Sequence, residues 1–238
     1  MREKDLPIDL GKHVCYSKMA KKIMRAHLRS RYPKDEAEAL WEKTQLRYAE
    51  LLKDAPALGG KANAHNKPGG TYDCFAMMAW WDVQEEKPPL DELYDMNNEM
   101  LLPSFGLLGK IADVNRPWAL KLMYRAFEAA AKRSAESVSR WPADYHMEFK
   151  ADPERGRIEY RFTTCPIADF ARRNGFTAIM PAFCNGDYPA MDLLHACLIR
   201  RNTCSNSDHC DYLIVPDRDP VCQEHPRYTD AAGYLRND

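Results

Sequence analysis

Several features are missing from this sequence, and each absence removes a class of protein. No stretch approaches about eighteen consecutive apolar residues, so no helix is predicted to span a membrane. Lys and Arg total 34 against 35 Asp and Glu, which leaves no broad field to attract nucleic acid or an anionic membrane. The opening MREKDLPIDLGKHVCYSKMAKK lacks the apolar centre of a secretory signal, and a cytoplasmic location is expected. There is no Gly-Lys-Ser/Thr to complete a phosphate-binding loop. There is no Cys-x-x-Cys pair, internal repeat or low-complexity tract either.

What is present is a chain of 238 residues with eight cysteines, six of them between Cys165 and Cys222. The length allows a substantial core, and no linker-like composition divides it, so residues 1–238 are read as a single domain. Without a secretory signal the cysteines are expected to be free thiols, metal ligands or nucleophiles rather than a disulfide framework. Cys15, Cys74, Cys197 and Cys222 read as small apolar fillers, and Cys204 as an exposed loop thiol.

Periodicity gives an α+β protein: a helical N-terminal portion (1–141) on a small, mainly antiparallel sheet with two C-terminal helices (142–216), then an irregular tail (217–238). The first thirty residues are basic and patchily apolar, predicting low order or a peripheral helix. After Pro33, with Asp35 and Glu36 favouring a helix start, Leu40, Trp41, Leu46, Tyr48, Leu51 and Leu52 form an apolar side. A polar loop with His65 and Asn66 meets Pro68-Gly69-Gly70-Thr71, then an apolar helix through Cys74, Met77, Met78, Trp80 and Trp81. Glycines at such an entrance let N–H groups approach an anion, making Asn66, Gly70 and Thr71 candidates for substrate binding; a mobile loop before a buried helix is the alternative. A helix from Leu90 is expected to break at Pro103, and another is expected to be capped by Asn115 ahead of Pro117.

From Tyr145 the pattern alternates, and an Asp152–Gly156 turn between two such runs predicts a β-hairpin. Cys165 then sits at the N-cap of a helix Pro166–Asn174 that stops at Gly175. A second helix is expected from about Tyr188 to Arg200, with Asp187 as N-cap and Met191, Leu194, His195 and Leu198 on one face; His195 is read there as a core residue. Residues 212–215 form a last strand.

The candidate chemistry rests on sulfur. Cys165 at a helix start is placed where unpaired N–H groups favour a thiolate. Cys184 lies three residues before Asp187, which can hold a partner or move protons. Cys210 stands between His209 and Asp211; on a strand it faces one side and these neighbours the other. Cys165, Cys184, Cys210 and His209 would together supply a zinc tetrahedron, although the ligand spacing does not favour it and no cofactor is expected. His65, in its polar loop, is the histidine best placed for catalysis. Arg200 and Arg201 are read as capping a helix, and one of them can also hold a carboxylate.

Cys165-Pro166, Gly175, Pro181, Cys184 with Asp187, Arg200, and Cys210-Asp211 together resemble the L-2-amino-thiazoline-4-carboxylic acid hydrolase family, whose final Cys-Asp-Phe here reads Cys-Asp-Tyr with Tyr212. The resemblance implies a hydrolase that opens a small nitrogen- and sulfur-containing ring, the family's own reaction converting a cyclic aminothiazoline acid to N-carbamoyl-cysteine. Inference from the residues then assigns Cys184 as nucleophile, with Cys165 as its alternative. Asp187 or His65 would carry protons, Cys210 and Asp211 complete the catalytic set, and Arg200 would hold the carboxylate. The partner is a small heterocyclic substrate, with neither nucleic acid nor membrane; whether the chain is a homo-oligomer is left open. The runner-up reading is a sensory domain whose cysteine cluster binds a ligand or metal, and a partner-binding helical protein is a third.

Overall fold

The computed structural model describes residues 3–66 and 70–238; Pro68 and Gly69 of the glycine-rich helix entrance lie outside the described residues. Helix α1 (Lys18–Arg31) starts where the Ser17 hydroxyl accepts the Ala20 N–H at 3.0 Å. Ala20, Ile23, Met24 and Leu28 form its buried stripe, so this basic segment is a core helix rather than a peripheral one. Its lysines and arginines had hidden the stripe. Helix α2 (Lys34–Leu51) follows Pro33 as expected, but Leu46 faces solvent.

Helix α3 (Thr71–Asp82) is apolar around most of its circumference, and it lies at the centre of the molecule. Trp80 donates its ring N–H to the Met24 carbonyl at 3.1 Å, and Phe75 stacks on Phe170 with ring centres 3.9 Å apart. Helix α4 (Leu90–Gly109) continues through Pro103, where the sequence predicted a break. The cost of an interior proline is about 3 kcal/mol, and tertiary packing of the following turns overrides it. Gly109 lies so close to the Leu193 carbonyl that a Cβ there would sit 1.9 Å from the oxygen. Helix α5 (Pro117–Arg140) has its proline in the first position, with Arg116 as cap; Asn115 instead donates its amide to Asp113 and Asp217, at 2.9 Å each.

Four strands make one antiparallel sheet in the order β1-β2-β4-β3: β1 (His146–Lys150), β2 (Ile158–Thr164), β3 (Ala196–Ile199) and β4 (Cys210–Pro216). Between β2 and β3 lie α6 (Pro166–Asn174), α7 (Met180–Cys184) and α8 (Asp187–Asp192). Gly175, at φ 79°, ends α6 in the left-handed conformation the sequence called for.

The predicted helix from Tyr188 to Arg200 is not one element. It stops at Asp192, with Gly186 rather than Asp187 as its cap, and His195 turns the chain at φ 56° into β3. Ala196–Ile199 is buried on both faces, and such a short apolar run fits a helix or a central strand equally well. His195, expected in the core, is mostly exposed, 3.4 Å from Asp217. The tail is also ordered: α9 (Val221–Glu224) precedes a hairpin of β5 (Arg227–Thr229) and β6 (Leu235–Asn237).

Two cysteines read as fillers, Cys197 and Cys222, form a disulfide that joins β3 to α9. Closing a loop with a sequence separation of 25 contributes about 3 kcal/mol in the chain-entropy account. Cys222→Ser is therefore expected to lower the midpoint of thermal unfolding by several degrees, and dithiothreitol to do the same to the unaltered chain. Equal midpoints with and without the reductant would show that the cross-link does not stabilise the fold.

Candidate active site

Register sorts the sheet's residues onto two faces. Met147, Phe162 and Cys210 form one inner row; Phe149, Tyr160 and Tyr212 form the next, and Ile158, Ile214 and Leu198 the third. Tyr160 and Tyr212 stack with centres 4.5 Å apart. The outer face carries Glu148, Arg161 and Asp211 in one row. Cys210 and Asp211 therefore serve opposite faces, as alternation requires. Asp211 accepts the backbone N–H groups of Arg201 and Asn202, the latter at 2.5 Å. His209 lines the open outer face with it and pairs with Asp208 at 2.6 Å. His209 is thus apart from the inner sulfurs, and no group of three or more His, Cys, Asp or Glu among the described residues is arranged to hold a metal ion.

On the inner face α7 and α8 bring Cys184 and Asp187 to Arg200, the residue after β3. The guanidinium donates to Asp187 Oδ2 at 2.8 Å and to the Cys184 carbonyl at 2.9 Å, and Tyr212 donates its hydroxyl to the same carboxylate oxygen at 3.1 Å. Arg200 is only 1 % exposed and lies over the Tyr188 and Tyr212 rings, 5.0 and 5.6 Å from their centres. Its backbone N–H donates to Asn237 Oδ1 at 3.1 Å, so the C-terminal hairpin holds it from behind. Far from capping a helix, Arg200 is a buried cation committed to Asp187. Its two terminal nitrogens are occupied by protein.

Asp187 keeps 42 % of its side-chain surface accessible, yet burial is the main influence on its carboxyl and raises it above the ordinary aspartate value against the pull of Arg200 and Tyr212. Both properties together describe a carboxylate open to water on one side and packed against protein on the other. Cys165 and Cys184 share them: each is half-buried, and burial pushes the Cys184 thiol to about 12 and the Cys165 thiol well above its usual value. Cys165 does stand at the N-cap of α6, where the Ile167 and Ala168 N–H groups favour its thiolate, but burial outweighs them. The cap alone does not activate it.

Cys210 differs. Contact with Cys204, first through its side chain and then through its backbone N–H at 3.0 Å from the sulfur, holds Cys210 below the usual thiol value although burial opposes this. Cys204 is not the exposed loop thiol expected; it is buried, with its S–H directed to the Phe162 carbonyl at 3.3 Å. Cys74 is buried as expected, and burial raises its thiol.

His65, from the helical half, is held by a carboxylate and packs edge-on to Tyr145. Its Nδ1 lies 2.8 Å from Asp144 Oδ2, and the same oxygen accepts the Asn63 amide at 2.7 Å and the Ser137 hydroxyl. Burial would raise Asp144, but the hydrogen bonds from His65, Ser137 and Asn63 outweigh it and hold the carboxyl low. A carboxylate on Nδ1 fixes the ring and leaves Nε2 outside that contact; His65 lines a recess with Tyr145 and Phe162. Nothing local to His65 points to Asp144, 79 residues away. Because its folded value is depressed, Asp144 contributes stability that is complete above about pH 4 and is lost as pH falls through that lower value. Asp144→Asn is expected to flatten the acid limb of a stability–pH curve; an unchanged limb would mean this carboxylate does not couple to folding.

Thr71, at the start of α3, donates its hydroxyl to Tyr145 at 3.1 Å, and Gly70 accepts the N–H groups of Asp73 and Cys74 through its carbonyl. Asn66 binds the Leu58 and Gly60 carbonyls at 2.7 and 2.8 Å, which makes it a clasp within its own loop.

These residues define a class: an α+β protein whose small antiparallel sheet gathers thiols around a buried arginine paired with an aspartate, with a histidine elsewhere held by a carboxylate. The segment 109–214 matches the family model of L-2-amino-thiazoline-4-carboxylic acid hydrolase. It contains Asp144, Cys165, Cys184, Asp187, Arg200 and Cys210, and leaves out His65 and Thr71. No curated protein and no solved structure matches the chain. The family's name is that of a hydrolase of a small molecule, and among the described residues no helix is long and apolar enough to cross a membrane.

Proposed function

We propose that the protein hydrolyses a small cyclic amidine or amide of the aminothiazoline type, with Cys184 as the attacking thiol. The observation that carries this is that Cys184 and Asp187, both only partly buried, are tied together by the Arg200 guanidinium, within the segment that matches the hydrolase family. Asp187, raised by burial, is suited to take and return a proton. It receives the Cys184 proton as the sulfur adds to the amidine carbon. In an aminothiazoline the carbon–sulfur bond of the ring then breaks, and the ring sulfur leaves with that proton. The amidine carbon stays on Cys184 as an isothiourea. Water adds to it, the bond to Cys184 breaks, and a carbamoyl product departs as the thiol is restored; the sum is one water consumed. His65, oriented by Asp144, is the second proton carrier, and the Ile167 and Ala168 N–H groups at the start of α6 favour negative charge nearby.

A second reading makes Cys210 the nucleophile, because contact with Cys204 holds its thiol below the usual value, whereas burial raises Cys165 and Cys184. Replacing Cys165, Cys184 and Cys210 singly with serine, and following ring opening of 2-amino-2-thiazoline-4-carboxylate and 2-amino-2-thiazoline chromatographically, separates the two. Loss confined to Cys184→Ser supports the first and loss confined to Cys210→Ser the second; full activity in all three would remove thiol catalysis.

A further inference from the structure

A recess of about 260 Å³ opens between α5 and the inner face of the hairpin, lined by His65, Ala130, Ser134, Tyr145, Met147 and Phe162. It adjoins the thiol cluster through two of these residues. Tyr145 is hydrogen-bonded to Thr71 and lies within electrostatic reach of Cys165 and Cys74. Phe162 is paired with Cys210 across the β2–β4 ladder, and its carbonyl accepts the Cys204 S–H.

The walls determine what fits. Tyr145 and Phe162 present rings 5.6 Å apart and tilted by 58°, Met147 adds a thioether, and Ala130 keeps the opposite wall low. Ser134 has no proton to donate to a ligand, since its hydroxyl donates to the Tyr145 carbonyl at 2.6 Å while accepting the Met147 N–H at 2.8 Å. His65 and Tyr145, whose hydroxyl accepts from Thr71, are the other polar residues of the lining. Among the described residues no lysine or arginine lines the recess, and the terminal nitrogens of Arg200 donate to Asp187 and the Cys184 carbonyl. A carboxylate placed here would lose water with no cation among the described lining residues to replace it. An apolar space of about 150 Å³ already admits a benzene ring.

We infer that this recess is a substituent subsite, and that the preferred substrate is a five-membered cyclic amidine carrying an aryl group rather than a carboxylate. This rests on the hydrolase reading of the thiol cluster and adds the side of the substrate that faces away from the attacked carbon. The ring substituent enters between Tyr145 and Phe162, while the amidine carbon stays with the sulfurs.

The test uses the full chain and isothermal titration with 2-amino-4-phenyl-2-thiazoline, 2-amino-2-thiazoline-4-carboxylate and unsubstituted 2-amino-2-thiazoline, together with 4-phenylthiazolidine, which has no amidine carbon to attack. The phenyl compounds are expected to bind at least about tenfold more tightly than the carboxylate, the scale on which apolar pockets discriminate. Ala130→Phe, which fills the recess, is expected to remove that advantage while binding of the unsubstituted ring stays within about twofold; Ala130→Leu is the milder variant should the larger ring prevent folding. Carboxylate binding as tight as phenyl binding would overturn the subsite, as would unchanged phenyl binding in the folded Ala130 variants. Phenyl compounds that bind as expected while none of the amidines is opened would uphold the subsite and end the hydrolase reading. Opening of 2-amino-2-thiazoline without any phenyl preference would do the reverse.

Discussion

Cys184→Ser is expected to lower the turnover of a ring substrate by on the order of a thousandfold or more, the scale of loss when a covalent nucleophile is removed from a site that keeps its binding contacts. Serine is close in size, and Cys184 is only half-buried, so unfolding should change little. Its carbonyl still receives the Arg200 guanidinium after substitution, which preserves the loop around it. The diagnostic is therefore a collapse of turnover with binding retained, together with loss of a covalent adduct in the intact-mass spectrum of protein quenched during turnover. A variant that keeps its adduct and its rate would move the chemistry to another sulfur, with Cys210 first in line.

Arg200→Ala is expected to be strongly destabilising. It removes a side chain 1 % exposed that donates to Asp187 and to the Cys184 carbonyl and lies over two tyrosine rings. Breaking a buried ion pair from one side costs about 3–5 kcal/mol; with Asp187 partly open to water the low end applies, near 3 kcal/mol. For a chain of this size that is a fall of about 10 °C in the unfolding midpoint. Asp187→Asn offers the contrast: it removes the charge but leaves a carbonyl oxygen for Arg200 and Tyr212, so catalysis should fall much further than stability. A midpoint for Arg200→Ala within about 2 °C of the parent would show that this pair does not anchor the cleft.

The parts of the fold legible in the sequence are those where one local rule acts alone. Cys165-Pro166 to Gly175 is such a case: proline in the first turn and glycine in the left-handed stop bound α6 from both ends. The hairpin is another, since alternation and a glycine-bearing turn agree. Legibility fails where tertiary packing decides. Pro103 stays inside α4 because the turns beyond it pack on Leu193, and Ala196–Ile199 becomes a strand because β4 is there to pair with it.

The site divides in the same way. The short-range pairing of Cys184 with Asp187 is visible as three residues of spacing, and strand alternation correctly separates Cys210 from Asp211. The partners of those residues are not visible. Asp144 behind His65, Tyr212 on Asp187, Cys204 against Cys210 and the cross-link from Cys197 to Cys222 are contacts brought about by folding, and composition carries no trace of them. Arg200 shows the consequence: its residue type suggested a substrate clamp, and its surroundings make it an internal strut.

The two-sided ladder also limits how the segment between Cys204 and Cys210 can change in length. Losing or gaining a single residue there without a compensating bulge would roll β4 over by one step, turning Asp211 inward among the tyrosines and Cys210 out to solvent. Drift in this turn should therefore come in even increments or be absorbed by a kink, and a one-residue deletion should be far more harmful than any point substitution within it.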